Sequence, residues 1–362
     1  MSYLDPSDRD VRHSRAEDKA AYEYGDGVSV HPMYGQVSAS STPDEPTLHI
    51  EPLDLDLSEQ GQTARSREDR RAEVAETKRH RGGRNLPAAI GVGILLAGVV
   101  LGSLFLWRPA FVAVIAIFGA VGVWEMVHAV GDGEEEAAPG GKRRRRAMAV
   151  RARPSLIPLL GGCALMPVLA WFGGVENLIL GLLITVLAVL VWRLSIGPEG
   201  FHRDMAAATL IAVYVPFLLG FAILLAHPSD GRMRVLVTLA CVILSDTGGY
   251  AVGFFLGKHK LAPTVSPSKS WEGFGGSIVA TAIGGALLIH YYFDQPLWHG
   301  AVIGIGTSVA AVLGDLVESM IKRDLGVKDM SKLLPGHGGL MDRLDSVVFA
   351  APAAFMLMTL LT

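Results

Sequence analysis

The sequence predicts an all-α integral membrane protein, a polytopic helical bundle with a disordered N-terminal tail, and three observations carry that prediction. Half of the 362 residues are hydrophobic and the mean hydropathy is +0.37, too apolar for a soluble chain of this size. From Leu86 onward the apolar residues gather into about nine runs long enough to span a bilayer. The connections between runs alternate in charge: one set, together with the flank before the first run, carries about twenty Lys and Arg, and the other about three.

Taken in order, residues 1–83 are rich in Asp, Glu, Ser, Arg and Pro, lack a sustained apolar period and lack the apolar core of a signal peptide. They predict a disordered cytosolic tail ahead of a membrane domain spanning 84–362. Its basic end, Lys78-Arg79-His80-Arg81 through Arg84, serves as a topology signal beside anionic headgroups. The apolar runs lie near 86–107, 110–130, 155–172, 175–193, 205–226, 234–255, 273–293, 298–318 and 344–361. The third and fourth are short and closely spaced, which predicts a tight helical hairpin or a partly re-entrant pair. With the N-terminus inside, connections 131–154, 194–204, 256–272 and 319–343 are cytosolic and Thr362 is outside.

The run Lys142-Arg143-Arg144-Arg145-Arg146 follows three glutamates and a Pro-Gly-Gly break. Its position between two spans suits topology anchoring and contact with anionic membrane lipids, and speaks against nucleic acid as a partner. Cys163 and Cys241 both fall in apolar runs, so neither a disulfide framework nor a cysteine zinc site is indicated. The net charge of −3 hides an acidic tail and a basic membrane part, and the glycine-rich spans are compatible with a homodimer.

Three polar constellations interrupt this apolar chain. The first is Ser245-Asp246 inside the sixth run. An ionisable residue within a span faces a bundle interior or a wet cavity, and helical spacing sets Asp246, Gly249, Tyr250 and Gly253 on one face. A buried carboxylate needs a partner, and a cation is the natural one.

The second is the loop from Gly257 to Gly273, with Lys258, His259, Lys260, Ser266, Ser268, Lys269 and Glu272 spaced by prolines. Lysines and hydroxyls on a semi-rigid loop suit phosphate oxygens. The loop is not a Walker A sequence, because no G-x-x-x-x-G-K-[ST] occurs.

The third runs from Gly314 to Ser346. Asp315, Glu318, Ser319 and Lys322 occupy neighbouring helical positions, and Asp342 and Asp345 repeat the i,i+3 spacing at the mouth of the last run. Between them lie Arg323, Lys328, His337, Gly338, Gly339 and Arg343. Carboxylates at two helix ends can converge on one hard cation, and Mg²⁺ takes one or two of them with water and phosphate completing its shell. Purely structural ion pairs would not require the Gly-His-Gly-Gly turn.

The run Ser319-x-x-Lys322-Arg323-x4-Lys328-Asp329-x-Ser331-x-x-Leu334-Pro335-x-His337-Gly338-Gly339-Leu340-x-Asp342-Arg343-Leu344-Asp345 resembles the signature of the phosphatidate cytidylyltransferases, also called CDP-diacylglycerol synthases. Ser245-Asp246 and the loop from Gly257 through Ser266-Pro267-x-Lys269-x-x-Glu272-Gly273 are similar to that family's other polar segments. The resemblance covers about 86–362 and implies an all-helical membrane enzyme that joins CTP to phosphatidic acid, giving CDP-diacylglycerol and pyrophosphate with Mg²⁺. Its polar cavity would open to the cytosol and sideways to lipid.

By resemblance Asp315 and Asp342 are the principal metal ligands, while Asp246 and Asp345 complete the site or hold a second, monovalent cation such as K⁺. Lys258, Lys260, Lys269, Lys322, Arg323 and Arg343 bind the phosphates of CTP and lipid. His337 hydrogen-bonds a phosphate or the departing pyrophosphate, and Gly338 and Gly339 turn N–H groups toward an anion. Two rivals remain at the level of sequence. A CTP-dependent lipid kinase would release CDP in place of pyrophosphate. A transporter would carry its charges at the bilayer midplane, with inverted repeats. A Gly/Ala/Arg-rich chain without a transit peptide fits a bacterial plasma membrane.

Overall fold

The computed structural model describes residues 86–132, 152–331, 333–334 and 338–362. The expectations for the tail, for 142–146 and for His337 lie outside the described residues. The described chain runs through α1 (Leu86–Leu106), α2 (Arg108–Asp132), α3 (Leu156–Leu194), α4 (Phe201–Ala226), α5 (Gly231–Leu256), a hairpin of β1 (Lys260–Ala262) and β2 (Ser266–Ser270), α6 (Trp271–Phe293), α7 (Leu297–Asp324) and α8 (Met341–Leu361).

Seven of these helices are long and apolar enough to cross a membrane. One of them, α3, is two helices folded against each other. Gly173 and Gly174 leave helical geometry inside it, Gly174 with φ +65°. A Cβ on Gly162 would stand 2.6 Å from Thr185 Cγ2, and one on Gly181 would stand 3.0 Å from Met166 Cγ. Positions equidistant from the break therefore face each other, which is the hairpin expected of the third and fourth runs. With α3 counted as two arms and α1 added, the nine apolar runs are all helical.

The all-α expectation holds, and one short hairpin accompanies the helices. The 257–273 loop closes as a two-stranded antiparallel hairpin, pairing Lys260 with Ser270 and Ala262 with Ser266, with an irregularity between. Pro263 and Pro267 break any helical run there and the intervening residues are polar. Ser270 then caps α6, its Oγ accepting from the Gly273 N–H at 3.1 Å.

Two packing styles build the bundle. Helices α2, α3, α4 and α8 share a core of large side chains, with Phe111, Met126, Leu159, Met166, Ile211 and Leu219 fully buried. Helices α5, α6 and α7 meet through small residues. A Cβ on Gly285 would stand 2.5 Å from the Gly300 carbonyl oxygen, and one on Gly304 would collide with the Thr281 carbonyl, so the α6 and α7 backbones touch. Hydroxyls tie the trio together: Ser277 Oγ donates to the Ser245 carbonyl at 2.6 Å, and Ser245 Oγ lies 2.9 Å from Ser308 Oγ.

Helix α4 contains one π-turn, Val213–Phe217, around Pro216, whose missing N–H cannot continue the α ladder. The turn presents Tyr214 to Phe349 of α8, ring centroids 5.9 Å apart.

Candidate active site at the loop end of the bundle

Helix α5 leads into the β-hairpin, and α7 leads into the 325–340 connection. The hairpin meets the end of α7: Arg323 Nε donates to the Val265 carbonyl at 3.4 Å, and Lys269 Nζ contacts Asp315 Oδ2 at 2.6 Å. Beneath them a cavity of about 540 Å³ opens between α5, α6, α7 and β2. Asp246, Gly249, Tyr250 and Gly253 line it together, as their shared helical face predicts. Ser245, Ser268, Lys269 and Asp315 line it as well. Asp246 stands ten residues before the end of α5 and Asp315 nine before the end of α7, about 15 Å in from the loop end at 1.5 Å per residue.

A second constellation lies where α7 gives way to α8. Lys322 Nζ donates to Glu318 Oε2 at 2.5 Å and to Asp342 Oδ1 at 2.9 Å. Glu318 is fully buried, and its other oxygen, Oε1, has no hydrogen-bond partner among the described residues. Ser319 Oγ donates to Asp315 Oδ1 at 3.3 Å, so the one helix face foreseen for these residues divides into two i,i+4 pairs. Asp345 lies within electrostatic reach of Asp315, Lys322 and Asp246, and its Oδ1 accepts from the Ser346 N–H at 2.7 Å.

Asp342 has a role beyond the one expected. Its Oδ2 accepts from the backbone N–H of Gly339 at 2.7 Å and of Met330 at 3.1 Å. Both oxygens are thus committed, one to Lys322 and the other to the ends of the 331–338 loop. Gly338 needs its glycine because φ is +77° and a Cβ would stand 2.7 Å from Asp342 Oδ2. At Gly339 a Cβ would stand 2.7 Å from both oxygens of Glu125. The Gly339 N–H is engaged by a carboxylate of the protein itself, and the Gly338 carbonyl accepts from the Leu334 N–H at 2.9 Å.

Glu125 is the residue that sequence reasoning missed. It sits in α2, fully buried, and accepts from Ser331 Oγ at 2.6 Å and from the N–H groups of Leu340 and Met341, both at 2.8 Å. The first N–H groups of a helix lack partners within it, and Glu125 supplies them for α8 from more than two hundred positions away. The signal was present in the sequence, as an acid inside an apolar run.

The remaining expected residues fall around this centre. Lys258, Lys260, Arg323, Lys328 and Arg343 are exposed. Ser266 Oγ lies 3.4 Å from Ser268 Oγ on the hairpin. Glu272 was expected to bind substrate. Instead its Oε1 lies 2.6 Å from His259 Nδ1, and its oxygens accept from the N–H groups of Lys258 and His259 at 3.1 and 3.2 Å. It clamps the start of the hairpin to α6.

Among the described residues no three Asp, Glu, His or Cys side chains stand close enough to hold a metal by themselves. A pair of carboxylates beside a phosphate-sized cavity is still a donor set suited to Mg²⁺, which fills most of its shell with water and phosphate oxygens. Asp246 and Asp315 share the cavity wall and fit that requirement.

The pattern of the Cytidylyltransferase family matches residues 87–361. A phosphatidate cytidylyltransferase of Mycobacterium leprae (strain TN) is 39% identical over 297 residues, covering 78% of this chain and 90% of that protein. A phosphatidate cytidylyltransferase of Mycobacterium bovis is 37% identical over 298 residues, 79% of this chain and 92% of that protein. One from Staphylococcus haemolyticus is 39% identical over 180 residues, 49% of this chain and 68% of that protein.

Proposed function

The chain belongs to the cytidylyltransferase family, and from that premise we propose that it transfers the cytidylyl group of CTP to phosphatidic acid, forming CDP-diacylglycerol and releasing pyrophosphate at the cytosolic face of a bacterial plasma membrane. The observation that carries this reading is the cavity in which Lys269, Asp246 and Asp315 meet on different elements beside the β-hairpin. One cavity holding two carboxylates and a partly exposed ammonium suits a triphosphate with its counter-ion.

In this reaction a phosphate oxygen of phosphatidic acid attacks the α-phosphorus of CTP. The bond from that phosphorus to the oxygen bridging it to the β-phosphate breaks, and pyrophosphate departs with the electron pair. The attacking oxygen is ionised at neutral pH, so no general base is required. The barrier lies in bringing two polyanions together, and positioning and charge neutralisation lower it.

Asp246 and Asp315 would hold Mg²⁺, with Asp345 in reach for a second cation. When bound, that ion would supply positive charge against the triphosphate. Lys269, paired with Asp315 at 2.6 Å and partly exposed, can turn its ammonium to a phosphate oxygen across the same cavity. Lys322, held between Glu318 and Asp342, keeps a fixed positive charge at the adjoining helix end. Asp342, whose oxygens meet Lys322 and the N–H groups of Gly339 and Met330, fixes the junction of α7 and α8, and like Asp315 with its contacts to Ser319 and Lys269 it would exchange a contact to ligate the ion.

The test is detergent-purified protein given labelled CTP, phosphatidic acid and Mg²⁺, with both products identified. Labelled CDP-diacylglycerol and stoichiometric pyrophosphate are expected, with turnover abolished by EDTA and restored by Mg²⁺. Release of CDP with a phosphorylated lipid would identify a kinase and overturn the assignment.

A further inference from the structure

We infer that Glu125 is a positioning residue for turnover: by tying Ser331 to the first turn of α8, it joins the two ends of the loop between α7 and α8 and seats the helix that carries Asp342 and Asp345. The inference rests on the proposed function for its kinetic readout and on geometry for the rest.

Two carboxylates from separate helices close this loop at its two ends. Asp342 joins Met330 to Gly339 through one oxygen, and Glu125 joins Ser331 to Leu340 and Met341 one residue further along each strand of the loop. The clasp has no slack. Glu125 is fully buried, and Gly339 lies so close that a Cβ there would stand 2.7 Å from both of its oxygens. Gly122, one turn earlier on α2, is pressed between Val215 and Met341, where an added Cβ would stand 3.1 Å and 3.3 Å from their side chains. Helix α2 is thereby seated against the same first turn of α8.

A buried carboxylate needs donors on both of its oxygens, and where those donors come from decides what it holds in place. Glu125 takes three donors, all from the two ends of one loop, and the residue following its last partner is Asp342, which grips Lys322. An error in the seat of Met341 passes directly to that pair. Glu125 itself lines no part of the cavity around Lys269 and Asp315, so it acts on the site through α8.

A carboxamide cannot reproduce this arrangement, since its NH₂ would face either Met341 N–H or the Ser331 and Leu340 donors. The experiment is therefore Glu125→Gln, read by steady-state kinetics, by hydrogen exchange at the Leu340 and Met341 amides, and by thermal melting in detergent. A displacement of about 1 Å at a site can cost roughly 10²-fold in rate. A fall in kcat of about 10- to 100-fold is expected, with KM for CTP within about threefold, faster exchange at both amides and a folded protein.

Unchanged kcat overturns the inference, whether or not exchange rises. So does an equal loss in every parameter alongside a collapsed melting transition, if Ser331→Ala keeps full kcat. Ser331→Ala removes one donor and leaves the α8 cap in place, and it should lower kcat several-fold without moving KM or melting. Wild-type protein that makes no CDP-lipid would sink the proposed function alone, and the exchange comparison would still decide whether Glu125 holds the loop.

Discussion

Replacing Asp342 with Asn breaks the junction between α7 and α8 in a way that can be worked from the contacts. Oδ1 accepts from Lys322 Nζ at 2.9 Å, while Oδ2 accepts from Gly339 N–H at 2.7 Å and Met330 N–H at 3.1 Å. An amide offers one oxygen and one NH₂. In one orientation the NH₂ meets the Lys322 ammonium, and in the other it meets two N–H donors, so one side of the latch is lost either way. Hydrogen bonds to charged groups contribute about 1.5–3 kcal/mol each. If about 3 kcal/mol of that reaches the transition state, kcat/KM falls by roughly 10²-fold. Lys322→Met should cost a similar factor, and the double variant little more than either, because both substitutions remove one shared contact. The assay is pyrophosphate release and labelled CDP-lipid from purified protein, with size-exclusion profiles to establish folding. A folded Asp342→Asn enzyme within about threefold of wild type, or losses that multiply in the double variant, would refute the latch.

Three other outcomes follow from single contacts. Lys269→Met should raise KM for CTP by about tenfold or more while changing stability by less than about 1 kcal/mol, since its pair with Asp315 is partly exposed; CTP titration and melting read the two separately. Gly304→Ala drives a methyl into the Thr281 carbonyl where α6 and α7 touch, and should lower stability by about 1–3 kcal/mol in a detergent melt without selective loss of CTP binding. Tyr214 is nearly fully buried and its hydroxyl has no hydrogen-bond partner among the described residues. Tyr214→Phe should therefore leave stability unchanged or raise it by about 1 kcal/mol, and a lower melting temperature would reveal a partner for that oxygen.

What could be read from the sequence was what short-range periodicity encodes. The apolar runs gave every helix, including the fold-back of α3, because hydrophobic length and a Gly-Gly break are local properties. The shared face of Asp246, Gly249, Tyr250 and Gly253 was legible for the same reason, and all four line the cavity. The partners of each charge were not legible, because they are chosen across the bundle. Lys269 reaches Asp315 from a hairpin that the apolar pattern did not announce, and Glu272 spends its oxygens on that hairpin's first residues. Glu125 escaped notice because its donors lie at 331, 340 and 341. Asp342 is named a metal ligand by resemblance, and the partners it takes here, Lys322 and the N–H groups of Gly339 and Met330, were not legible because they are set by how α7, α8 and the chain between them come together.

The size of the cavity bears on how a lipid could share it with a nucleotide. About 540 Å³ is a volume typical of a pocket for one small molecule, and two acyl chains cannot be added to a nucleoside triphosphate within it. Only the phosphate headgroup of a lipid substrate need enter, so the chains must stay outside, beside an opening in the wall. Tyr250 and Phe254 both line the cavity, and both are largely exposed on the surface of α5, at 74% and 70%. Their rings are stacked, with centroids 6.0 Å apart. The wall of the cavity on that side is therefore also the outer face of an apolar helix. A headgroup entering there would pass from the exposed apolar face of α5 to Lys269 without any acyl carbon passing through the polar interior, which would keep the cost of the crossing to the headgroup's own desolvation.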